Sequence, residues 1–354
     1  MLRAAQVQEM LNSPHVRVRV FVGSVGAVSL PTMKFSFSIF SLAQLSLATQ
    51  SVLAAQYNGY HSPYSFDSNY FHAPRWMTAL PDTANLTSLS IPGTHDTMTS
   101  EINDPIFQCQ NHHLGTQLES GLRFFDIRAR LNNNELLIYH QAEYTQHSYT
   151  DVLTTFFKFL DNNPGETILM RLKEESSAIN STIDFITAFN YYRLNDTKTS
   201  PGCSKHFWLP PSPGPTTVPT LGQLRNKILI LQNFGSDPAP YGIKWESPLL
   251  QIQDDYEVSD LYQGLDEKFE AIKGGLWAAG NGTEEEDGRL YLGHLSGSVG
   301  VLPIECAAGT RDRNVTGMND RTGQFLRAGN GGKTGVVIID FPGKELVEEV
   351  LSRN

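Results

Sequence analysis

The chain has 354 residues, 40% of them hydrophobic and 10% aromatic, which is enough to bury one large core or two smaller ones and excludes a disordered protein. Its formal net charge of -10 argues against nucleic acid as a partner and against general attraction to anionic lipid. Any membrane contact must therefore be local and largely apolar.

Residues 1–32 show no helical or strand period. From Met33 the chain reads MKFSFSIFSLAQLSLATQSVLAAQ, in which one lysine precedes a serine-diluted apolar run and then Ala54-Ala55. That is the layout of a secretory signal peptide, and the run is too broken for a membrane span. The expected organisation is a gene-model extension or leader at 1–32, a signal peptide at 33–55, an N-terminal segment of the mature chain at 56–79, and a catalytic barrel at 80–354. Sequons at Asn85, Asn180, Asn195, Asn281 and Asn314 predict a secreted, extracellular, N-glycosylated protein. Cys109, Cys203 and Cys306 allow one disulfide and leave one thiol over. Cys109 with His112 and His113 lacks the second half of a metal-ligand set.

Past residue 80, strands are predicted near 86–91, 123–128, 135–140, 167–172, 227–232, 249–253, 289–293 and 335–340. Helical patterns fall near 112–121, 151–162, 177–190, 259–272 and 344–352. The alternation predicts an α/β protein built as a single, irregular (β/α)8 TIM-like barrel. Pro92-Gly93 is expected to break the first strand and deliver His95 and Asp96 to its end. In the second strand Asp126 and Arg128 stand two apart and share a face. The third ends on His140. His95, Arg128, His140, Lys173, Asn233, Asp254 and Asp340 all fall at or just past strand C-termini, where barrel active sites are built.

IPGTHDT, FFDIRAR and IYHQ, in this order and at this spacing, resemble the N-terminal half of the catalytic X domain of phosphatidylinositol-specific phospholipase C. The secreted, metal-free microbial type is the better match. The resemblance covers roughly residues 80 to 352. It implies that His95 is the general base, assisted by Asp340, and that His140 is the general acid, oriented by Asp96. It also implies that Arg128 binds the phosphate and that Asp126 is a second supporting carboxylate. Lys173, Asp254 and Tyr256 match positions around the inositol pocket. Asn233 stands where microbial enzymes often carry an inositol-contacting arginine, and Gln141 where a glycine usually follows the acid histidine. The resemblance further implies a monomer with no cofactor and no metal. Its substrate would be phosphatidylinositol or a glycosylated phosphatidylinositol anchor, met by transient interfacial contact with a membrane and cleaved to diacylglycerol and inositol 1,2-cyclic phosphate.

The residue types suit that chemistry. Attack by a hydroxyl on a neighbouring phosphodiester needs a base, an acid and fixed positive charge on the phosphoryl oxygens. Histidines serve the first two at neutral pH, and a guanidinium offers two parallel donors for the third. Two rival readings stand beside it: a metal-dependent glycerophosphodiesterase-like barrel, and a secreted inositol-lipid-binding protein whose site has decayed at Gln141 and Asn233. Phe207-Trp208-Leu209 is the expected apolar wedge toward lipid.

Overall fold

Side chains alternate across a strand, so each strand of this protein contributes one set of residues to the inside of a curled sheet and another to the layer beneath its helices. The computed structural model describes residues 54–235, 240–281 and 288–354, all within the unit formed by residues 52–354. The expected leader and nearly all of the expected signal peptide lie outside the described residues. The strands are β1 Ala55–Tyr57, β2 Tyr60–Ser62, β3 Ser90–Thr94, β4 Phe124–Asn132, β5 Glu135–His140, β6 Glu143–Ser148, β7 Thr167–Glu174, β8 Phe207–Trp208, β9 Lys227–Asn233, β10 Ile243–Lys244, β11 Leu250–Gln253, β12 Leu290–His294 and β13 Gly335–Ile339.

Eight strands run parallel in the order β10-β9-β7-β4-β3-β13-β12-β11. This is the sequential order of a (β/α)8 barrel. It is irregular because, among the described residues, no ladder joins β10 to β11, and no helix lies between β9 and β11. Inside, Phe124, Leu169, Leu231, Leu292, Val336 and Ile338 form one buried cluster. Their neighbours Phe125, Met170 and Ile230 face outward into a second cluster with the helices Tyr149–Asn162 and Phe185–Leu194. Each such side chain, fully buried, contributes about 1.5–3 kcal/mol. The first of these helices starts at a capping box in which Ser148 Oγ accepts from Asp151 N–H and Asp151 accepts from Ser148 N–H.

Several expectations change. The run 135–140 is not a barrel strand, since β5 returns antiparallel along β4 and continues into the unpredicted β6. The eighth barrel position belongs to β10, too short to show a period. Leu86–Ser88 is a 3-10 turn, and β3 begins only at Ser90. Pro92-Gly93 does not break β3. The carbonyl of Pro92 accepts from Arg123 N–H at 2.8 Å, and a Cβ on Gly93 would meet Phe124 Cβ at 2.5 Å, so glycine lets β3 and β4 approach. The sharp turn comes later, at Asp96, whose φ is +39°. The helix expected at 177–190 spans Phe185–Leu194, because Asn134 Oδ1 binds the N–H of Thr182 at 2.8 Å and holds the preceding stretch in a loop. The helix Met318–Arg327 was hidden by its polar composition.

Phe207 is buried, and β8 pairs with the start of β9 through Ile228 and Leu229, at the end of the barrel away from the strand C-termini. It therefore cannot be the lipid wedge. Cys109, Cys203 and Cys306 are buried free thiols. The segment 56–79 is not a mere preface to the barrel: Phe66 N–H donates to Phe341 O at 3.0 Å and Gly343 N–H to Tyr64 O at 2.9 Å, which lays the segment across the end of β13.

Candidate active site

The parity that fills the barrel with aliphatics carries polar residues inward at its upper end. Asp126 and Arg128 share the inward face of β4 with Phe124, and Arg171 and Lys173 share that of β7 with Leu169. His95 follows β3, and Asp340 follows β13. The β4–β5 hairpin brings His140 back to the same mouth. A cleft of about 310 Å³ is lined by His95, Cys109, Arg128, His140, Gln141, Arg171, Lys173, Glu175, Asp254, Tyr256, Ser296 and Asp340, among others. A larger cavity, about 630 Å³, lies between β11, β12 and the helix Gln263–Asn281 and holds none of the histidines.

The two histidines have different partners. His95 Nδ1–H donates to Asp340 Oδ1 at 2.9 Å, and its Nε2 accepts from Arg128 Nη2 at 2.8 Å. Because a guanidinium can only donate, the Nε2 that faces it carries a lone pair and the ring is neutral. Burial, reinforced by the Arg128 charge, holds its pKa well below the usual histidine value. His140 instead sets Nδ1 2.8 Å from Phe107 O and Nε2 3.4 Å from Asp96 Oδ2. Both nitrogens face oxygen acceptors, whereas Arg128 caps Nε2 of His95.

Asp96 and Asp126 hold the guanidinium of Arg128. Arg128 Nε donates to Asp126 Oδ2 at 3.0 Å and stands 3.1 Å from Asp96 Oδ1, and Nη2 lies 2.9 Å from Asp126 Oδ2. Burial alone would raise the pKa of Asp126, but Arg128 and Arg171 together hold it well below the carboxylate range. Burial pushes Asp96 and, further, Asp340 upward. Asp96 Oδ2 also lies 3.1 Å from His95 Nε2, so this carboxylate stands between the two rings.

Lys173 lines the cleft paired with Glu175 at 2.6 Å, and Glu175 also accepts from Gln141 N–H at 3.0 Å. Asp254 and Tyr256 also line the cleft. Asn233 is absent from the cleft lining. Its Oδ1 accepts from Arg171 Nε and Nη2 at 3.2 and 2.7 Å, so it braces a cleft residue rather than forming the wall. Arg171, whose guanidinium also sits 4.0 Å over the Trp245 ring, went unremarked in the sequence although it stands two before Lys173. His294, at the end of β12, was missed as well. It is fully buried, its Nδ1 lies 3.1 Å from Gln253 O, and burial pushes its pKa down to about 4. Ligand atoms of His95, Asp96 and Asp126 lie within 4.8 Å of one another, as do those of Cys109 with His95 and Asp340, but Arg128 already fills the first group. His112 takes no part, for its Nε2 bonds Phe66 O at 2.7 Å.

The family described as "Phosphatidylinositol-specific phospholipase C, X domain" matches residues 89–234. A 1-phosphatidylinositol phosphodiesterase of Listeria monocytogenes is 33% identical over 296 residues, covering 79% of this chain and 84% of that protein. One from Staphylococcus aureus is 28% identical over 338 residues, covering 86% and 96%. Among solved structures, the Listeria phosphatidylinositol-specific phospholipase C gives a TM-score of 0.63 at 30% identity, with 80% of this chain and 99% of that one covered. A Staphylococcus aureus structure gives 0.64 at 25% identity, covering 82% and 99%.

Proposed function

Because the chain belongs to the phosphatidylinositol-specific phospholipase C X-domain family, we propose that it cleaves the phosphodiester of phosphatidylinositol to diacylglycerol and inositol 1,2-cyclic phosphate. The observation that carries this reading is the unequal pair of histidines on either side of Asp96, with Arg128 beside them. A phosphate oxygen that takes the Nη2 donor of Arg128 uncovers the His95 Nε2 lone pair. His95 then removes the proton from the inositol 2-hydroxyl, and the resulting imidazolium is stabilised by Asp340. The hydroxyl oxygen bonds to phosphorus, the bond to the glycerol oxygen breaks, and His140 returns a proton to the departing alkoxide. Arg128 stabilises charge on the phosphoryl oxygens throughout. Phosphorus NMR of the products from purified protein and phosphatidylinositol vesicles tests the reading. A five-membered cyclic phosphate is expected, and an acyclic phosphate as the first product would reject it.

Contact with lipid fits the rim of the cleft better than the tryptophan at 208. Ile106, Tyr256, Tyr262 and Val299 are 58%, 49%, 74% and 60% exposed on the loops that follow β3, β11 and β12. Apolar side chains around a cleft can enter a bilayer interface without positive charge. Replacing Ile106 and Val299 by serine is expected to weaken vesicle binding several-fold and to spare cleavage of a water-soluble inositol phosphodiester. Equal loss on both substrates counts against the rim.

Secretion and N-glycosylation complete the proposal, supported by the Met33–Ala55 layout and by exposed asparagines in four sequons, Asn180, Asn195, Asn281 and Asn314. N-terminal sequencing of secreted material should return a start near Gln56, and an intact Met1 would refute it.

A further inference from the structure

The chemistry above leaves the completely buried amide of Asn319 unused. Asn319, near the start of the helix Met318–Arg327, donates from Nδ2 to Asp340 O at 2.9 Å, to Ser65 Oγ at 2.9 Å and, more distantly, to Phe341 O at 3.4 Å. Two of these acceptors are the carbonyls of the carboxylate that partners His95 and of the residue after it.

That next residue is strained. Phe341 has φ +49°, a left-handed conformation that a bulky L side chain keeps only when its surroundings impose it. Here they do. Its N–H donates to Cys109 O at 2.9 Å, its carbonyl receives Phe66 N–H at 3.0 Å, and its ring packs against Tyr57 and Phe66 with centroids 6.0 and 5.8 Å apart. The turn at Phe341 ends the strand abruptly and leaves Asp340 facing inward with Oδ1 on His95 Nδ1. On the other side of the pair, Gln110 Nε2 donates to His95 O at 2.7 Å and to Ile339 O at 3.0 Å.

We propose that Asn319 is a positioning residue for the His95–Asp340 pair. It holds the left-handed turn that aims Asp340, and Ser65, carried by the segment laid across β13, holds Asn319 in its working orientation. The segment at 56–79 is thereby part of the catalytic apparatus. The inference rests on the reading of His95 as the base, and its first test is independent of that reading. Hydrogen-bonded to Asp340, the His95 Nδ1–H should give a downfield proton resonance in the wild-type protein without any substrate. Asn319→Ala should broaden or shift it while leaving the fold intact by circular dichroism.

With phosphatidylinositol as substrate, Asn319→Ala should lower kcat roughly tenfold with KM within about twofold, and should move the acidic limb of the pH profile. In an Asp340→Asn background the same substitution should cost no further activity, because residues that act through one another do not add. If Asn319→Ala fails to fold, Ser65→Ala removes only the hydroxyl that orients the amide and should give the same signature at about threefold. An unchanged Nδ1–H resonance, or an equal loss in both backgrounds, would overturn the proposal. A protein that shows the resonance change but does not cleave phosphatidylinositol would leave the positioning role standing and reject the lipid reading.

Discussion

Alanine at His95, and separately at His140, is expected to lower turnover by about 10²- to 10⁴-fold, the usual contribution of a general base or acid. Thermal unfolding should move little, because neither ring sits in the apolar clusters that fill the barrel and its helix layer. The two variants should differ in their pH dependence. His95 must be neutral to accept a proton, and its pKa is held below the ordinary histidine value of about 6.5 by burial and by Arg128. Protonation then occurs only at more acidic pH, so wild-type kcat/KM should stay level as pH falls through about 6.5 and drop below it. His95→Ala should erase that acidic limb, whereas His140→Ala should leave it in place. Turnover, unfolding and the pH profile measured on the same samples decide the matter. If stability is lost while activity per folded molecule is kept, both histidines are structural.

The legible parts of this protein are those in which local pattern and chemistry coincide. Short apolar runs that lead into His95, Arg128, Lys173 and Asp340, with side-chain alternation placing Asp126 and Arg128 on one face, located β4, β7, β13 and the start of β3 together with the side chains at their ends, because strand C-termini are where a barrel exposes side chains. The same alternation could have yielded Arg171, which precedes Lys173 by two on an inward face, and His294, which ends β12 as His95 follows β3. It did not reveal that β5 folds back on β4, since pairing direction depends on how tightly Asn132, Asn133 and Asn134 turn. Asn133 and Asn134 adopt φ of +51° and +66°, values that asparagine tolerates. Nor could spacing show that Asn233 points its amide oxygen at Arg171. An asparagine at a strand end reads equally well as a wall residue or as a brace, and only the third dimension separates them.

The second large effect is expected at Arg128, and with it the absence of any need for calcium. A calcium ion at this mouth, as the metal-dependent rival requires, would want acidic or amide side chains at the positions of Asp96, Asp126, Arg128 and Lys173. Here the two aspartates remain, and Arg128 stands where the ion would: 3.1 Å from Asp96, 2.9 Å from Asp126 and 2.8 Å from the base nitrogen. Lys173 opposes a metal less than its charge suggests, because Glu175 sits 2.6 Å from it. Arg171 takes over that part, 3.4 Å from the other oxygen of Asp126. A divalent ion about 4 Å from a single guanidinium is disfavoured by about 8 kcal/mol at an effective dielectric of about 20. Binding a cation would therefore require Arg128 to leave two carboxylates, and Asp126 and Asp96 hold it charged and in place. Activity should survive EGTA unchanged. Arg128→Lys should fall by about 10²- to 10³-fold, as for other losses of a preorganised charge-stabilising donor, because an ammonium cannot donate to phosphate and cap the base in the same geometry. Arg128→Asp, which adds an acidic ligand, should be more impaired still and recover at most a part of its rate with calcium, since Arg171 continues to repel the ion. If the wild-type activity vanishes with chelator and returns on adding calcium, the guanidinium is not the source of the positive charge, and the metal-dependent barrel becomes the better account of these histidines.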